Sequence, residues 1–363
     1  MEEQMGTYAT TVGVDGRESR IVWANSQRIH VVIQGRGPLV VLVHGFPESW
    51  YSWRHQLAPL AEAGYRVAAP DMRGYGRSSK PLAVHDYRIT ELVADLVGLV
   101  HALGEEQAIV VGHDWGAPIA WTAAWTRPDV FRAVAAMSVA FGGRGLMGLP
   151  GDPLGERRPS AVGAEIAGPG KRFYHAYLSD PTGGRPDIER DPRTWLRGAL
   201  YSFSGSVPLP PEAAGADFLS LPPEAIVPFL REAGVCMAPG VAMGDLLISP
   251  ESLPAWIDEK DLDFYADEFE RTGIWGTNYY ACLDLDWELL APFVGQPVSV
   301  PALFIGGDRD VATIWGREAI DLYPETVPEL HGNVVLKGCG HWTQQERPVE
   351  TTDALLDFFR AVG

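Results

Sequence analysis

The chain has 363 residues, of which 46% are hydrophobic, and a formal net charge of -18. A chain of this length and composition can bury one large core or two smaller ones. Its acidic balance, without any cluster of basic residues, argues against nucleic acids and anionic membrane surfaces as partners.

The start of the chain and the cysteines bear on where the protein is found. Residues 1–8 contain two glutamates and no apolar stretch, so we expect no signal peptide. No apolar run approaches the roughly 18 to 20 residues that span a bilayer. Cys236, Cys282 and Cys339 are scattered and lack metal-ligand spacing, which predicts a reduced, cytoplasmic protein without disulfides. The oligomeric state is left open, with a homodimer as one alternative.

From residue 29 onward, short apolar runs alternate with stretches of helical periodicity. In chain order, the pattern predicts a strand at 29–33, a strand at 39–43, a helix at 53–63, a strand at 65–69, a helix at 90–103, a strand at 108–111, a helix at 117–126 and a strand at 132–139. The run at 39–43 (LVVLV) is continuously apolar, as expected of a strand buried on both faces of a parallel sheet. This alternation predicts a doubly wound, mostly parallel α/β sheet flanked by helices.

The pattern changes after residue 141. Residues 142–170 are rich in glycine and proline without clear periodicity, and residues 171–290 have a mainly helical pattern. Two strands and a final amphipathic helix then follow, at 301–305, 334–336 and 349–362. A helical block inserted into one α/β sheet predicts a cap over an active site. The expected division is a core of residues 1–141 and 291–363 and a cap of residues 142–290.

Residues 112–116 (GHDWG) give the strongest chemical signal. They lie between a predicted strand and a predicted helix, where a nucleophile elbow of the form G-x-nucleophile-x-G is expected, with Asp114 in place of the more usual serine. The glycines allow a sharp turn, and the positive end of the helix favours a carboxylate. A carboxylate there can attack carbon and form an ester. Alone, the motif fits a helix-capping aspartate equally well, but the other motifs favour catalysis.

A histidine and an acid complete the expected triad. His341 follows the last predicted strand, in the chain order nucleophile, acid, histidine, which predicts a general base. The orienting acid lies in residues 306–310 (GGDRD). We prefer Asp310, which lies further into that loop, and keep Asp308 as the alternative. The loop after the strand at 132–139, another common position for the acid, has no carboxylate before Asp152.

The segment HGFP at residues 44–47 predicts an oxyanion hole. It follows a strand, and the backbone N–H of Phe46 can pair with that of Trp115, the residue after the nucleophile. Pro47 has no N–H to donate. Two such donors would stabilise the negative charge that develops when water attacks an ester.

Together these motifs resemble those of the soluble epoxide hydrolase family, over nearly the whole chain from about residue 23. The matching segments are residues 44–50 (HGFPESW), 74–78 (GYGRS), 112–116 (GHDWG) and 338–342 (GCGHW). The resemblance implies the α/β-hydrolase fold with an inserted, mainly helical cap, and the conversion of epoxides to vicinal diols. It also implies two cap tyrosines that bind and protonate the epoxide oxygen. The segment RFYHAY assigns the first to Tyr174. The segment NYY assigns the second to Tyr280, with Tyr279 as the alternative because the approach to it is one residue shorter than usual.

In the reaction that the resemblance implies, Asp114 forms an ester with the substrate, and water activated by His341 and Asp310 hydrolyses it. Tyr174, Tyr280, Trp115 and Phe46 are the expected substrate-binding residues, and no metal or organic cofactor is needed. The cap also contains aromatic residues that suggest a small apolar epoxide as the partner, namely Phe173, Trp195, Phe203 and Trp275.

Two other functions compete with this interpretation. A haloalkane or haloacid dehalogenase would use the same triad, but its cap would supply halide-binding N–H donors instead of acidic phenols. The tyrosine pair and the position of the acid favour an epoxide. A non-catalytic ligand-binding receptor on the same scaffold would not need a general base. A serine esterase conflicts with the aspartate at position 114.

Overall fold

The computed structural model describes residues 8–13, 16–209, 213 and 215–363. The expectation that the chain has no signal peptide rests mostly on residues 1–7. These residues lie outside the part of the chain that the structure describes. Among the residues described, no helix is both long and apolar enough to cross a bilayer.

The described residues form eleven strands. In chain order these are β1 (Tyr8–Val12), β2 (Glu18–Ala24), β3 (Gln27–Gln34), β4 (Leu39–Val43), β5 (Arg66–Pro70), β6 (Ala108–His113), β7 (Phe131–Met137), β8 (Arg172–Phe173), β9 (Cys236–Met237), β10 (Ala302–Gly307) and β11 (Leu330–Leu336). Nine of them form one sheet in the order β1-β2-β3-β5-β4-β6-β7-β10-β11, and β8 pairs with β9. The strands from β5 to β11 in that sheet are parallel, whereas β1, β2 and β3 join antiparallel. The predicted mostly parallel sheet is confirmed.

Helices cover both faces of this sheet and fill the segment between β7 and β10. In chain order they are α1 (Leu57–Glu62), α2 (Ile89–Ala102), α3 (Gly116–Thr126), α4 (Pro159–Ala167), α5 (Tyr174–Leu178), α6 (Gly184–Arg190), α7 (Pro192–Ser202), α8 (Pro223–Glu232), α9 (Glu259–Thr272), α10 (Thr277–Leu289), α11 (Val311–Trp315), α12 (Arg317–Asp321), α13 (Tyr323–Thr326), α14 (Thr343–Glu346) and α15 (Pro348–Val362). The helices from α4 to α10 belong to the predicted cap.

Alternate side chains of the central strands enter two separate cores. In β4, Val40 and Leu42 pack in the core that includes α1 and α15, whereas Val41 and Val43 pack in the core that includes α2 and α3. All four side chains are fully buried. Burying a side chain of this size is worth about 1.5 to 3 kcal/mol, so the continuous apolar run is favoured on both faces. The loops at the carboxyl end of the sheet are thereby held on a rigid support.

The fold differs from the sequence prediction at several places. The short helices α11 to α14 were not predicted, and β11 begins four residues before the predicted strand. Strands β1 and β2 were not predicted, and the helix expected at 53–63 is a 3-10 turn at Trp50–Trp53 followed by the shorter α1. Helix α4 lies in the segment expected to lack periodicity, because Pro159 begins it and Gly168, with a φ of 75°, ends it. The two-residue strands β8 and β9 are too short to leave a pattern in the sequence.

Helix α10 of the predicted cap is attached directly to the core. Asp286 accepts a hydrogen bond from the backbone N–H of Ile89, at the start of α2, at 2.7 Å. The hydroxyl of Tyr279 donates to the backbone carbonyl of Arg73 at 2.6 Å. Both contacts fix the rotation of α10 above the sheet. The division into a core and a cap of residues 142–290 remains a prediction.

Candidate active site

The turn that carries Asp114 is sharp and left-handed. Asp114 follows β6 with a φ of 51°, and α3 begins two residues later. A Cβ added to Gly112 would lie 1.9 Å from the carbonyl oxygen of Gly116, and one added to Gly116 would lie 2.0 Å from that of Val43. Neither position can therefore carry a side chain without moving the backbone. The two glycines let the turn present Asp114 at the carboxyl end of the sheet.

His341 and Asp310 meet Asp114 across three loops. The Nδ1 atom of His341 lies 2.9 Å from Oδ1 of Asp310, and its Nε2 atom lies 3.3 Å from Oδ2 of Asp114. Asp310 is held in place because it also caps α11, accepting from the backbone N–H groups of Ala312 and Thr313. An imidazole bound in this way has one ring nitrogen fixed by the acid and the other directed at the candidate nucleophile.

The three groups shift one another's proton affinities. Burial alone would lower the pKa of His341, but Asp310 and Asp114 together hold it well above its usual value. Burial would raise the pKa of Asp114 and Asp310, yet in each case His341 keeps the pKa below its usual value. The directions of these pKa shifts favour an imidazolium between two carboxylates in the resting site.

One backbone N–H group is observed at the expected oxyanion hole, and the start of α3 supplies a candidate for the second. Phe46 N–H donates to Oδ1 of Asp114 at 2.6 Å. Trp115 is the N-cap residue of α3. Amides at the start of a helix have no acceptor within that helix, so the Trp115 N–H can serve an external oxygen. The geometry places Oδ1 of Asp114 where an oxyanion would be stabilised and leaves Oδ2 facing His341.

The two candidate tyrosines lie on separate elements of the predicted cap and face one cavity. Tyr174 begins α5, and its N–H donates to the carbonyl of Val235 at 2.9 Å, next to the β8–β9 pair. Tyr280 lies on α10, and the two phenol rings are 5.8 Å apart between centroids. Burial, followed by nearby negative groups that include Asp114, raises the pKa of both phenols well above the usual value. Both therefore hold their protons in the resting site.

The sequence left open whether Asp308 or Asp310 is the acid and whether Tyr279 or Tyr280 is the second tyrosine. In the structure the two members of each pair have different contacts. Asp308 accepts a hydrogen bond from the backbone N–H of Gly338 at 2.7 Å and makes no described contact with His341, unlike Asp310. The hydroxyl of Tyr279 is bound to a core carbonyl, whereas Tyr280 lines the cavity with Asp114. The geometry favours Asp310 and Tyr280.

The cavity between the sheet and the helices above it is mainly apolar. Besides the groups already described, it is lined by Pro47, Val139, Met147, Leu178, Trp195, Ala199, Phe203, Val235, Met243, Val311, Ala312, Trp315 and Trp342. Phe173 and Trp275, two of the aromatic residues expected to suggest an apolar substrate, are not among the lining residues. The indole N–H groups of Trp195, Trp315 and Trp342 are bound to protein oxygens. The polar side chains at the wall are therefore nearly all those of the candidate reactive groups.

A buried network behind His341 had no role in the sequence prediction. Nδ1 of His113 lies 2.8 Å from Oε2 of Glu48, and Oε1 of Glu48 accepts from the side-chain amides of Gln344 and Gln345, each at 2.9 Å. Nε2 of His113 lies 2.7 Å from the backbone carbonyl oxygen of His341. Because a carbonyl only accepts, this nitrogen must donate. Glu48 and His113 each lie in a motif that the sequence shows, but the contact between them joins two loops that are far apart in the chain. The sequence alone does not reveal that contact.

We expect Glu48→Leu to destabilise the protein by about 3 to 5 kcal/mol, because it leaves His113, Gln344 and Gln345 without their shared buried acceptor. Glu48→Gln keeps one acceptor oxygen and should cost about 1 kcal/mol. Urea unfolding of both variants measures the difference. Equal stability of Glu48→Leu and wild type would show that the network contributes nothing to folding.

Within residues 8–13, 16–209, 213 and 215–363, no group of three or more histidine, cysteine, aspartate or glutamate side chains is placed to hold a metal ion. Cys236, Cys282 and Cys339 are buried and free.

Comparison with known proteins adds sequence similarity over nearly the whole chain. Residues 38–159 match the family model of the alpha/beta hydrolase fold. Epoxide hydrolase B from Mycobacterium tuberculosis (strain ATCC 25618 / H37Rv) is 50% identical over 348 residues, which cover 93% of this chain and 97% of that protein. Epoxide hydrolase 3 from Siraitia grosvenorii is 36% identical and covers 95% of this chain and 99% of that protein.

Solved structures agree in fold as well. An epoxide hydrolase from an endophytic Streptomyces superposes with a TM-score of 0.85 at 46% identity, over 96% of each chain. Potato (Solanum tuberosum) epoxide hydrolase I superposes with a TM-score of 0.76 at 32% identity, over 95% of this chain and 99% of that one. The predicted α/β-hydrolase fold is confirmed.

Proposed function

The chain belongs to the epoxide hydrolase family and hydrolyses epoxides, and we propose that it does so through a covalent ester formed on Asp114. The observation that carries this mechanism is the convergence of Asp114, His341 and two protonated phenols on one apolar cavity. A carboxylate nucleophile, an imidazole base and a phenolic acid are the groups that ring opening and ester hydrolysis need.

In the first step, Oδ2 of Asp114 attacks a ring carbon while Oδ1 stays bound to the Phe46 N–H. The carbon–oxygen bond of the ring breaks, and Tyr174 or Tyr280 gives its proton to the departing oxygen. The product is a hydroxyalkyl ester of Asp114. This step removes the negative charge of Asp114, which is one of the groups that raise the pKa of both phenols. Proton donation therefore becomes easier as the ester forms.

The same loss of charge prepares the second step. Asp114 is one of the two carboxylates that hold the pKa of His341 above its usual value. Once Asp114 is an ester, only Asp310 opposes the effect of burial. The imidazolium of His341 can then give its proton to the phenolate left by ring opening, which restores the tyrosine and leaves a neutral imidazole that can act as a base. It takes a proton from water, which attacks the ester carbonyl carbon. The N–H groups of Phe46 and Trp115 stabilise the oxyanion. The bond between the carbonyl carbon and the alkyl oxygen then breaks, and the departing oxygen takes the proton held by His341, which gives the diol. The carboxyl group of Asp114 returns its proton to His341, so both groups are regenerated.

We propose that residues 142–290 act as a cap that holds both phenols above Asp114 and excludes water from the substrate. The apolar wall favours an epoxide with aryl or alkyl substituents. Trp115 and Phe46 would contact the substrate together with the two tyrosines. A cytoplasmic location remains a prediction from the sequence. The sequence leaves the oligomeric state open, with a homodimer as one alternative, and gel filtration of the purified protein determines it.

We expect Tyr280→Phe to lower the rate of diol formation from an aryl epoxide by about 10- to 10³-fold, because one of the two proton donors to the leaving oxygen is lost. Tyr65→Phe removes the same hydroxyl from a half-buried side chain that packs against Phe359 and does not line the cavity, and it serves as the matched control. Diol formation is followed by chromatography.

Halide release from haloalkanes is measured in the same experiment. Three of the four tryptophans that line the cavity have their N–H groups bound to protein oxygens. The indole N–H of Trp115 has no described partner, so a halide would find one indole donor, whereas a halide site built by the cap would supply more. We expect diol and no halide from the wild type. Halide release that survives Tyr280→Phe, together with no diol from any epoxide, would contradict the proposed mechanism.

A further inference from the structure

The carboxylate of Glu346 binds three backbone N–H groups from two parts of the chain. Its Oε2 atom accepts from Gly205 at 2.8 Å and from Gly340 at 3.1 Å, and its Oε1 atom accepts from Trp342 at 3.0 Å. Gly340 and Trp342 are the two neighbours of His341. Gly205 lies just after α7, in the predicted cap. One side chain therefore joins the loop of the proposed base to the cap.

Arg309 holds the same glycine from the other side. Its Nη1 atom donates to the carbonyl oxygen of Gly205 at 2.9 Å, and its backbone N–H donates to the carbonyl of Cys339 at 3.0 Å. Arg309 directly precedes Asp310. The loops of the acid and of the base are thus both attached to Gly205. We call the contacts of Gly205 with Glu346, Arg309 and Gly340 the Gly205 joint.

The backbones at this joint are too close for side chains. A Cβ on Gly205 would lie 2.3 Å from the carbonyl oxygen of Gly338, and one on Gly340 would lie 2.2 Å from the nitrogen of Gly205. The N–H of His341 also donates to the carbonyl of Phe203 at 2.8 Å. The position of His341 is therefore set against the end of α7 as well as against the sheet.

Helix α7 is also a wall of the cavity. Trp195 and Ala199 on α7, and Phe203 directly after it, line the space above Asp114. The element that contacts the substrate is thereby the element to which the base loop is attached. Asp114, Tyr174 and Tyr280, by contrast, are held by the elbow, α5 and α10.

We propose that Glu346 and Arg309 are positioning residues for His341, which fasten the end of α7 to the base loop and so align the base for ester hydrolysis. The proposal rests on the ester mechanism proposed above. A misplacement of a reacting group by 1 Å can cost about 10²-fold in rate. Because the groups that form the ester are held elsewhere, loosening the Gly205 joint slows hydrolysis of the ester and leaves its formation largely unchanged.

The test uses Glu346→Gln, which keeps the size of the side chain but replaces one acceptor oxygen by a donor. Arg309→Met is the second variant, since it removes the other contact of Gly205 and leaves Glu346 intact. Glu350→Gln, four residues later on α15 with an exposed side chain, is the matched control. Each protein is mixed with an epoxide in single turnover, and the covalent ester is followed by intact mass.

We expect the ester to accumulate in Glu346→Gln, with its hydrolysis slowed about 10-fold or more, and to a lesser degree in Arg309→Met. Glu350→Gln should behave as wild type. A loss of folded protein would lower the amounts of ester formed and of ester hydrolysed in the same proportion, and it would not change the ratio of the two rates. Ester accumulation therefore distinguishes a positioning effect from a loss of stability.

The outcomes distinguish the two proposals. A His341→Gln protein that forms no ester would overturn the ester mechanism itself. If His341→Gln accumulates ester but Glu346→Gln and Arg309→Met hydrolyse it at the wild-type rate, the positioning role is wrong and the mechanism stands. Should Glu346→Gln fail to fold, Arg309→Met decides alone.

Discussion

Asp114→Asn should lose diol formation by about 10⁴-fold or more, the largest effect expected of any substitution in this chain. The amide keeps an oxygen that can accept the Phe46 N–H, which lies 2.6 Å from Oδ1 in the wild type. It lacks the charge that attacks a ring carbon. Structure and cavity are thus retained while the nucleophile is removed. The measurement is diol formed from aryl and alkyl epoxides, with intact mass to detect an ester.

Asp308→Asn is the matched control for this experiment. It makes the same chemical change on a loop next to the site, where the side chain accepts from the N–H of Gly338, a bond that an asparagine oxygen can also accept. We expect nearly wild-type turnover. Diol formation by Asp114→Asn at a rate close to that of Asp308→Asn would refute Asp114 as the nucleophile.

His341→Gln should lower turnover by about 10²- to 10⁴-fold, the usual contribution of a general base, and should trap the ester. Ester formation uses Asp114 and the phenols, so the protein should gain the mass of one epoxide molecule within the first turnover. Hydrolysis then stalls because no group takes the proton from water. The trapped ester distinguishes His341→Gln from Asp114→Asn, in which no mass is gained.

His331→Gln makes the same change at an exposed histidine on β11 and should turn over normally. If His341→Gln lost turnover without gaining mass, no ester would form before the base acts, and the ester mechanism proposed here would be wrong.

The parts of the site that depend on local sequence could be predicted. The elbow at 112–116 is a strand, a sharp turn and a helix in succession, and its two glycines are required by contacts within the turn and with the neighbouring strand. The place of His341 after the last strand follows from the chain order of the fold. These features need only short stretches of sequence to be recognised.

The rest of the site depends on contacts between distant segments. Tyr174 is placed beside β8 and β9, which are two residues each and lie far apart in the chain. Glu48 and His113 meet across 65 positions. Whether Tyr279 or Tyr280 faces the cavity depends on the rotation of α10, which a bond from Tyr279 to the core fixes. The periodicity of the sequence does not reveal contacts between segments that are so far apart.

The left-handed backbone at Asp114 lowers the stability of the fold, but the reaction needs a side chain at this position. A φ of 51° costs a side chain other than glycine about 1 to 2 kcal/mol. Glycine would therefore suit the turn better than the nucleophile does. Directed evolution that selects for heat resistance alone would therefore favour glycine at this position, and the variants would gain stability but lose activity. Selections for a more durable enzyme need turnover in the screen, and their gains must come from surfaces remote from the elbow.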